Sequence, residues 1–174
     1  IPFTSYKQIA NAVTINGGGT ITFDGANGSG FFQVSASAHV TLKGLSMVRG
    51  SYLGGVRAIE NFGTLTLDHA RMVNNNSSAR GPVLNFGSLS VRWSTFSNNA
   101  GTATDADGGA IENDSGQLHV VASTFNGNSA GRNGGAIYSN FSFSVANSTF
   151  NANTANAGGA IYQQGTGIST VDFA

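Results

Sequence analysis

The tetrapeptide Gly-Gly-Ala-Ile occurs three times in this chain, at 108–111, 134–137 and 158–161. Weaker copies end at Ile59 and Val83, and carrying the register back through Val34 to Ile15 gives spacings of 19, 25, 24, 28, 26 and 24 residues. A period near 24 residues constrains the fold more than any local propensity, because each copy repeats one supersecondary unit that must pack on its neighbours. A second landmark holds the same register. Six to seven residues after the anchors from Ile59 to Ile137 comes an apolar-x-apolar segment: Leu65-Thr66-Leu67, Leu89-Ser90-Val91, Leu118-His119-Val120 and Phe143-Ser144-Val145. Five residues beyond it stands the column Met47, Met72, Phe96, Phe125, Phe150, and three further on the column Gly50, Asn75, Asn99, Asn128, Asn153.

Each unit therefore reads as three very short alternating strands separated by Gly, Asn and Ser turns. Such a unit cannot bury its apolar face alone and must stack. Composition removes the alternatives. Only 9% of the residues are charged and 25 of the 174 are Gly, which argues against exposed helices. A hydrophobic share of 40% with 12 Phe argues against disorder. The one helix-like stretch, 6–12, is too short to sustain a periodicity, and the regular Leu pattern of a leucine-rich repeat is missing. The expected fold is all-β: a parallel β-helix, or solenoid, of about seven coils of roughly 24 to 25 residues, forming one domain over 1–174. At a rung spacing of ~4.8 Å the rod is roughly 30 to 35 Å long. The chain starts at Ile1 without Met or a signal sequence, and so reads as a processed product or a piece of a longer protein.

In such a coil a repeated residue becomes a ladder. Phe96, Phe125 and Phe150 are expected to stack inside, continued by Met72 and Met47. Asn75, Asn99, Asn128 and Asn153 are expected to align their amides, each donating to the next, which satisfies polar groups that burial otherwise penalises. The paired Gly suits a tight corner. Ser94, Ser123 and Ser148 form a further column of small residues, and the outward column Lys43, Asp68, Arg92 alternates in sign.

The pairing of Gly-Gly-Ala-Ile with Phe96-Ser97-Asn98-Asn99, Phe125-Asn126-Gly127-Asn128 and Phe150-Asn151-Ala152-Asn153 resembles the repeats of chlamydial polymorphic outer membrane proteins. The opening stretches, Val13 to Gly17, Phe23-Asp24-Gly25 and Val40 to Leu45, are similar to the entry coils of the wider set of bacterial right-handed parallel β-helix repeat proteins. The resemblance implies a right-handed coil, export and a role at the cell surface. Members include adhesins and autotransporter passengers.

Catalytic chemistry is not marked by any converging set. Glu60 and Glu112 hold equivalent positions two rungs apart, with Leu84 between. Their backbones are then ~10 Å apart, a marginal separation for a glycosidase pair. Asp105 and Asp107 lie in the longest repeat and read as a solvated loop rather than a calcium site, for which other acidic positions are lacking. His39, His69 and His119 are scattered, with His69 beside Trp93 in a surface stack, so neither zinc nor a nucleophilic triad is indicated. Flat Thr-x-Thr arrays of the ice-binding kind begin at Thr20-Ile21-Thr22 and Thr64-Leu65-Thr66 but break on the other rungs. Tyr138 and Tyr162 stand on adjacent rungs. The expected function is a non-enzymatic extracellular scaffold or adhesin-like surface protein without cofactor or metal. Its partner is expected to be a protein or surface glycan, with self-association through open β-helix ends. Balanced charge speaks against nucleic acid, and no segment is apolar enough to span a membrane. The alternative is a carbohydrate-active or carbohydrate-binding β-helix of the polysaccharide lyase or glycosidase kind.

Overall fold

Leu65 and Leu67, Leu89 and Val91, Leu118 and Val120, and Phe143 and Val145 alternate with polar residues, and each alternation forms a strand with its apolar side buried. The computed structural model describes residues 1–52 and 57–172. All named strand pairs run parallel, and equivalent residues of successive repeats lie in register. The chain is a parallel β-solenoid.

One sheet contains seven strands: Lys7–Ile9, Phe32–Val34, Ile59–Asn61, Val83–Asn85, Ile111–Asn113, Ile137–Ser139 and Ile161–Gln163. They mark six full turns and the start of a seventh. A larger sheet bends around a corner. Its long strands Val13–Asp24 and His39–Val48 cover both sides of the bend, and in later coils each splits in two, as in Thr64–Asp68 with Arg71–Val73. A third, narrow sheet carries two-residue strands such as Asn76–Ser77, Ala100–Gly101 and Ser129–Ala130. The three-strand reading of the unit misses this fourth segment, which is too short to show alternation.

Two expectations need correction. The structure places Phe32, not Val34, beside Ile59, and Lys7 beside Phe32. Phe32 and Val34 both point inward, so a slip of two residues preserves the apolar pattern and leaves the sequence ambiguous. Likewise Thr14, not Thr22, is the rung partner of Thr41, and Thr22 pairs with Ser46 beyond the bend.

The corners are columns of left-handed backbone. Gly44, His69, Trp93, Ala122 and Asn147 have φ between 48° and 56° at the bend of the larger sheet. Arg49, Asn74, Asn98, Gly127 and Ala152 repeat the feature one strand later. At the third corner Gly134 has φ 67°, and a Cβ there meets the Ile137 carbonyl oxygen at 2.3 Å, so no other residue fits.

Inside the coil, like residues meet like. The rings of Phe96 and Phe125 stack 4.8 Å apart, and those of Phe125 and Phe150 4.9 Å apart, with Met72 and Met47 extending the column. Such a pair contributes about 0.5–1.5 kcal/mol beyond area burial. Beside it, Asn75 Nδ2 donates to Asn99 Oδ1 at 3.0 Å, Asn99 to Asn128 at 2.9 Å, and Asn128 to Asn153 at 2.9 Å. The second amide hydrogen goes back to a backbone carbonyl of the preceding coil, from Asn99 to Met72 and from Asn128 to Phe96. Each acceptor oxygen also takes a backbone N–H, as Asn128 Oδ1 does from Asn99. A second buried ladder runs Asn61, Asn85, Asn113, Ser139 with donor distances of 2.7, 2.7 and 2.8 Å. Ser94, Ser123 and Ser148 accept the N–H groups of Ala70, Ser94 and Ser123 and so cap the bend.

Asn128→Ala strands the N–H and the amide of buried Asn99, and should cost on the order of 1–3 kcal/mol. Asn153→Ala, at the half-buried end of the ladder, should cost less. Urea unfolding midpoints of the two variants test this ordering; equal midpoints contradict it.

Candidate functional site

The repeat is longest between Val83 and Ile111, and the extra residues lie between Gly101 and Asp107, on the corner that precedes the seven-stranded sheet. This loop and its neighbours enclose a cleft of about 170 Å³ that spans three coils. Loops on a rigid scaffold are where such sites are usually built.

Two buried carboxylates organise the cleft. Glu112 is held at its base by the strand Ile111–Asn113 and is 4% exposed at its side chain. It accepts from Arg80 Nη1 at 3.0 Å and from the Gly81 N–H at 3.3 Å. Asp107, also buried, accepts from Arg132 Nε at 3.0 Å, from Arg132 Nη2, and from the Asn133 N–H at 3.1 Å. Thus each buried carboxylate fixes an arginine of another coil, while the two guanidinium groups remain about half exposed. On the adjoining column Asn140 donates to Asp114 at 3.1 Å, and the Tyr138 hydroxyl lies 2.8 Å from Asn140 Oδ1 and 2.6 Å from Gln164 Oε1. Asp105 stands exposed at the rim.

Burial pushes the Glu112 carboxyl up to about 7, against the opposing pull of Arg80, the Gly81 N–H and Arg57, and Asp114 pushes in the same direction as burial. Burial likewise raises Tyr138. Arg132 is raised by its hydrogen bonds to Asp107.

The coil that carries Arg132, Tyr138 and Asn140 and the coil after it each run from a left-handed corner, Ala122 or Asn147, through Phe, Asn and Gly-Gly-Ala-Ile to the end of a strand of the seven-stranded sheet. Both match the Chlamydia polymorphic membrane protein repeat, over residues 122–140 and 147–164. The chain is a β-helix repeat protein, and these two coils resemble repeats of the polymorphic membrane protein type. No curated protein and no solved structure matches it. The first matched repeat contributes Arg132, Tyr138 and Asn140 to the cleft, and Arg80, Asp105, Asp107, Glu112 and Asp114 come from coils outside the match.

The remaining candidates are dispersed. Glu60 is in register with Leu84 and Glu112, but it accepts from Arg57 of its own coil at 2.7 Å and from Gln33 of the preceding coil at 3.1 Å. Asp105 and Asp107 do not act as a pair: Asp107 is buried and both of its oxygens are held by Arg132, which corrects the expectation of a solvated loop. A guanidinium then stands where a cation would need the oxygens. His119 lies 2.8 Å from Ser144, and His69 stacks on Trp93 at 5.3 Å. Tyr138 and Tyr162 stack at 6.0 Å, with Tyr138 buried. Lys43 and Arg92 flank Asp68 at 3.6 and 3.9 Å. Asp68 is covered by these neighbours, yet its value is lowered: burial opposes, and the His69 hydrogen bond with the charges of Lys43 and Arg92 outweighs it. The ladder residues Asn75, Asn99, Asn128, Asn153, Phe96, Phe125 and Phe150 face the interior and do not line the cleft.

Arg80, Arg132, Asp114 and Asn140 escape the sequence reading because no motif contains them. A usable signal is that an arginine stands two or three residues before the anchor or its glycines at Arg57, Arg80 and Arg132, and each pairs with a carboxylate.

The folded protein keeps the Glu112 proton at pH values where the unfolded chain, with an ordinary value of 4.5, has lost it. The stability this group contributes is therefore complete below about 4.5 and falls as pH rises toward about 7, by on the order of 3 kcal/mol. Glu112→Gln should lack that fall, so the stability difference between variant and parent should change across this window in urea titrations at stepped pH. Parallel profiles contradict a buried, protonated Glu112.

Proposed function

We propose that the chain is a non-enzymatic, adhesin-like scaffold displayed outside the cell, in which stacked coils give length and rigidity and loop surfaces meet a protein or glycan partner. The observation that carries this reading is the match of two coils to the Chlamydia polymorphic membrane protein repeat. A membrane protein repeat of this kind is expected to stand at the surface, and a solenoid suits that place because its length scales with coil number. Continuous buried ladders of Asn and Phe support a rod that holds its shape outside the cell without disulfides.

The non-enzymatic part of the reading is supported by how the carboxylates are used. A glycosidase needs one carboxyl as acid and a second as base or nucleophile, both facing the scissile bond. Here Glu60, Asp107 and Glu112 are each engaged by an arginine. Glu112 has a value suited to a general acid, but its two oxygens are taken by Arg80 and Gly81.

Beads coated with the folded chain should attach saturably to cell surfaces, with soluble chain competing, and a panel of polysaccharides should yield no new reducing or unsaturated ends. Attachment no greater than that of heat-denatured chain overturns the adhesin reading. Polysaccharide turnover abolished by Glu112→Gln overturns the non-enzymatic one.

A further inference from the structure

The cleft is lined almost wholly by hydrogen-bonding groups whose positions are fixed before any ligand arrives. Arg132 spends Nε and Nη2 on Asp107, and Arg80 spends Nη1 on Glu112 and, more distantly, Asp114, which leaves further N–H groups on half-exposed side chains. Asn140 is oriented by Asp114 and Tyr138, and Asp105 makes no hydrogen bond or ion pair among the described residues. The opening thus offers both donors and acceptors.

The charge balance selects the guest. Four carboxylates disfavour an anion, while two guanidinium groups already seated on the buried carboxylates disfavour a metal ion or an ammonium group. What suits a lining that offers both donors and acceptors, with its two buried carboxylates already paired, is a neutral polyhydroxylated molecule, whose vicinal hydroxyls donate and accept at once.

A second, independent feature lies on the same face. The residue after each of the last five strands of the seven-stranded sheet forms the column Phe62, Phe86, Asp114, Asn140, Gln164, linked by backbone hydrogen bonds from one coil to the next. Phe62 and Phe86 stack at 5.0 Å with their planes 9° apart, and Phe62 is 40% exposed. An apolar ridge therefore leads, one rung at a time, into the polar cleft. Rungs advance by ~4.8 Å, close to the advance of one β-linked pyranose along an extended chain.

We infer that this face binds a neutral glycan chain lying along the rod, one sugar unit seated among Asp105, Arg80, Arg132 and Asn140 and the preceding units packed against Phe86 and Phe62. The inference goes beyond surface display and stands whether or not the rod is displayed.

Titration of the folded chain with neutral tetraoses (β-linked gluco-, manno-, xylo- and galacto-oligosaccharides), followed by ligand-observed NMR and calorimetry, tests it. Oligogalacturonate and chitosan oligomers serve as charged comparisons, and calcium alone as the metal control. At least one neutral tetraose should bind with a dissociation constant on the order of 1 mM or tighter. Asp105→Ala and Asn140→Ala should each weaken it about tenfold, and Phe62→Ala should weaken the tetraose while leaving a methyl glycoside unaffected; circular dichroism confirms that each variant is folded. The inference is overturned if no neutral tetraose binds, if these folded variants bind unchanged, if a charged oligomer binds more tightly, or if only calcium does.

Discussion

Parallel stacking in register is the constraint from which the rest of this structure follows. It places every side chain about one rung from its own equivalent, so a residue type is admitted to a column only if it is a good neighbour to itself. A carboxamide qualifies because it carries both a donor and an acceptor: Asn99 donates to Asn128 and accepts from Asn75 with one geometry. A flat ring qualifies through offset stacking, and a hydroxyl qualifies by capping the next backbone N–H, as Ser123 caps Ser94. A charged group fails the test, since like charges at this distance repel. The low charged content of 9% is the compositional trace of that rule.

Where charge does enter, it enters as its own neutralisation. Lys43, Asp68 and Arg92 alternate in sign up one column, and Asp24 with Arg49, Glu112 with Arg80, and Asp107 with Arg132 pair an acid of one coil with an arginine of another. The balanced total of eight basic and eight acidic residues is thus built largely from local pairs and is not an average over a featureless surface. These pairs are not equivalent. Asp68 faces three cationic or donating neighbours and its carboxyl is lowered, whereas Glu112 is buried deeply enough that burial outweighs Arg80 and its carboxyl is raised. The difference marks Glu112 as the place where the stack carries a polar group at a net cost, which is a common sign of a site shaped by something other than stability.

The sequence made the columns legible because a residue that must match itself leaves a periodic record. Gly-Gly-Ala-Ile, the Phe column and the Asn column are such records. The register of the first coils was not legible, since alternation has period two and Phe32-Gln33-Val34 satisfies it in either of two alignments. The left-handed bend at His69, Trp93 and Ala122 was hidden because neighbouring strands and the Ser caps impose the conformation on residues that do not advertise it, unlike Gly134. The ladder through Asn61, Asn85 and Asn113 did carry a signal, an Asn two residues after each apolar anchor, but it ends in Ser139 and is only three Asn long. The cleft left little periodic record: an arginine recurs before the anchors at Arg57, Arg80 and Arg132, but Asp107 and Asn140 do not repeat, and the three groups meet only once three coils are stacked.

Coils that obey the self-matching rule are interchangeable along the rod, and an interchangeable surface offers a ligand no preferred address. Specific recognition requires a place where the rule is broken. In this chain the break is the longer loop of the fifth coil, which lifts Asp105 to the rim and buries Asp107 below it. The regular coil after it, one of the two that match the polymorphic membrane protein repeat, supplies Arg132, Tyr138 and Asn140 at fixed height and orientation. Rigidity thus comes from the repeat and distinctness from the insertion. The cleft needs both, because a loop without the ladder beneath it would not hold two arginines against buried carboxylates, and a ladder without the loop would present Asn and Ser alone.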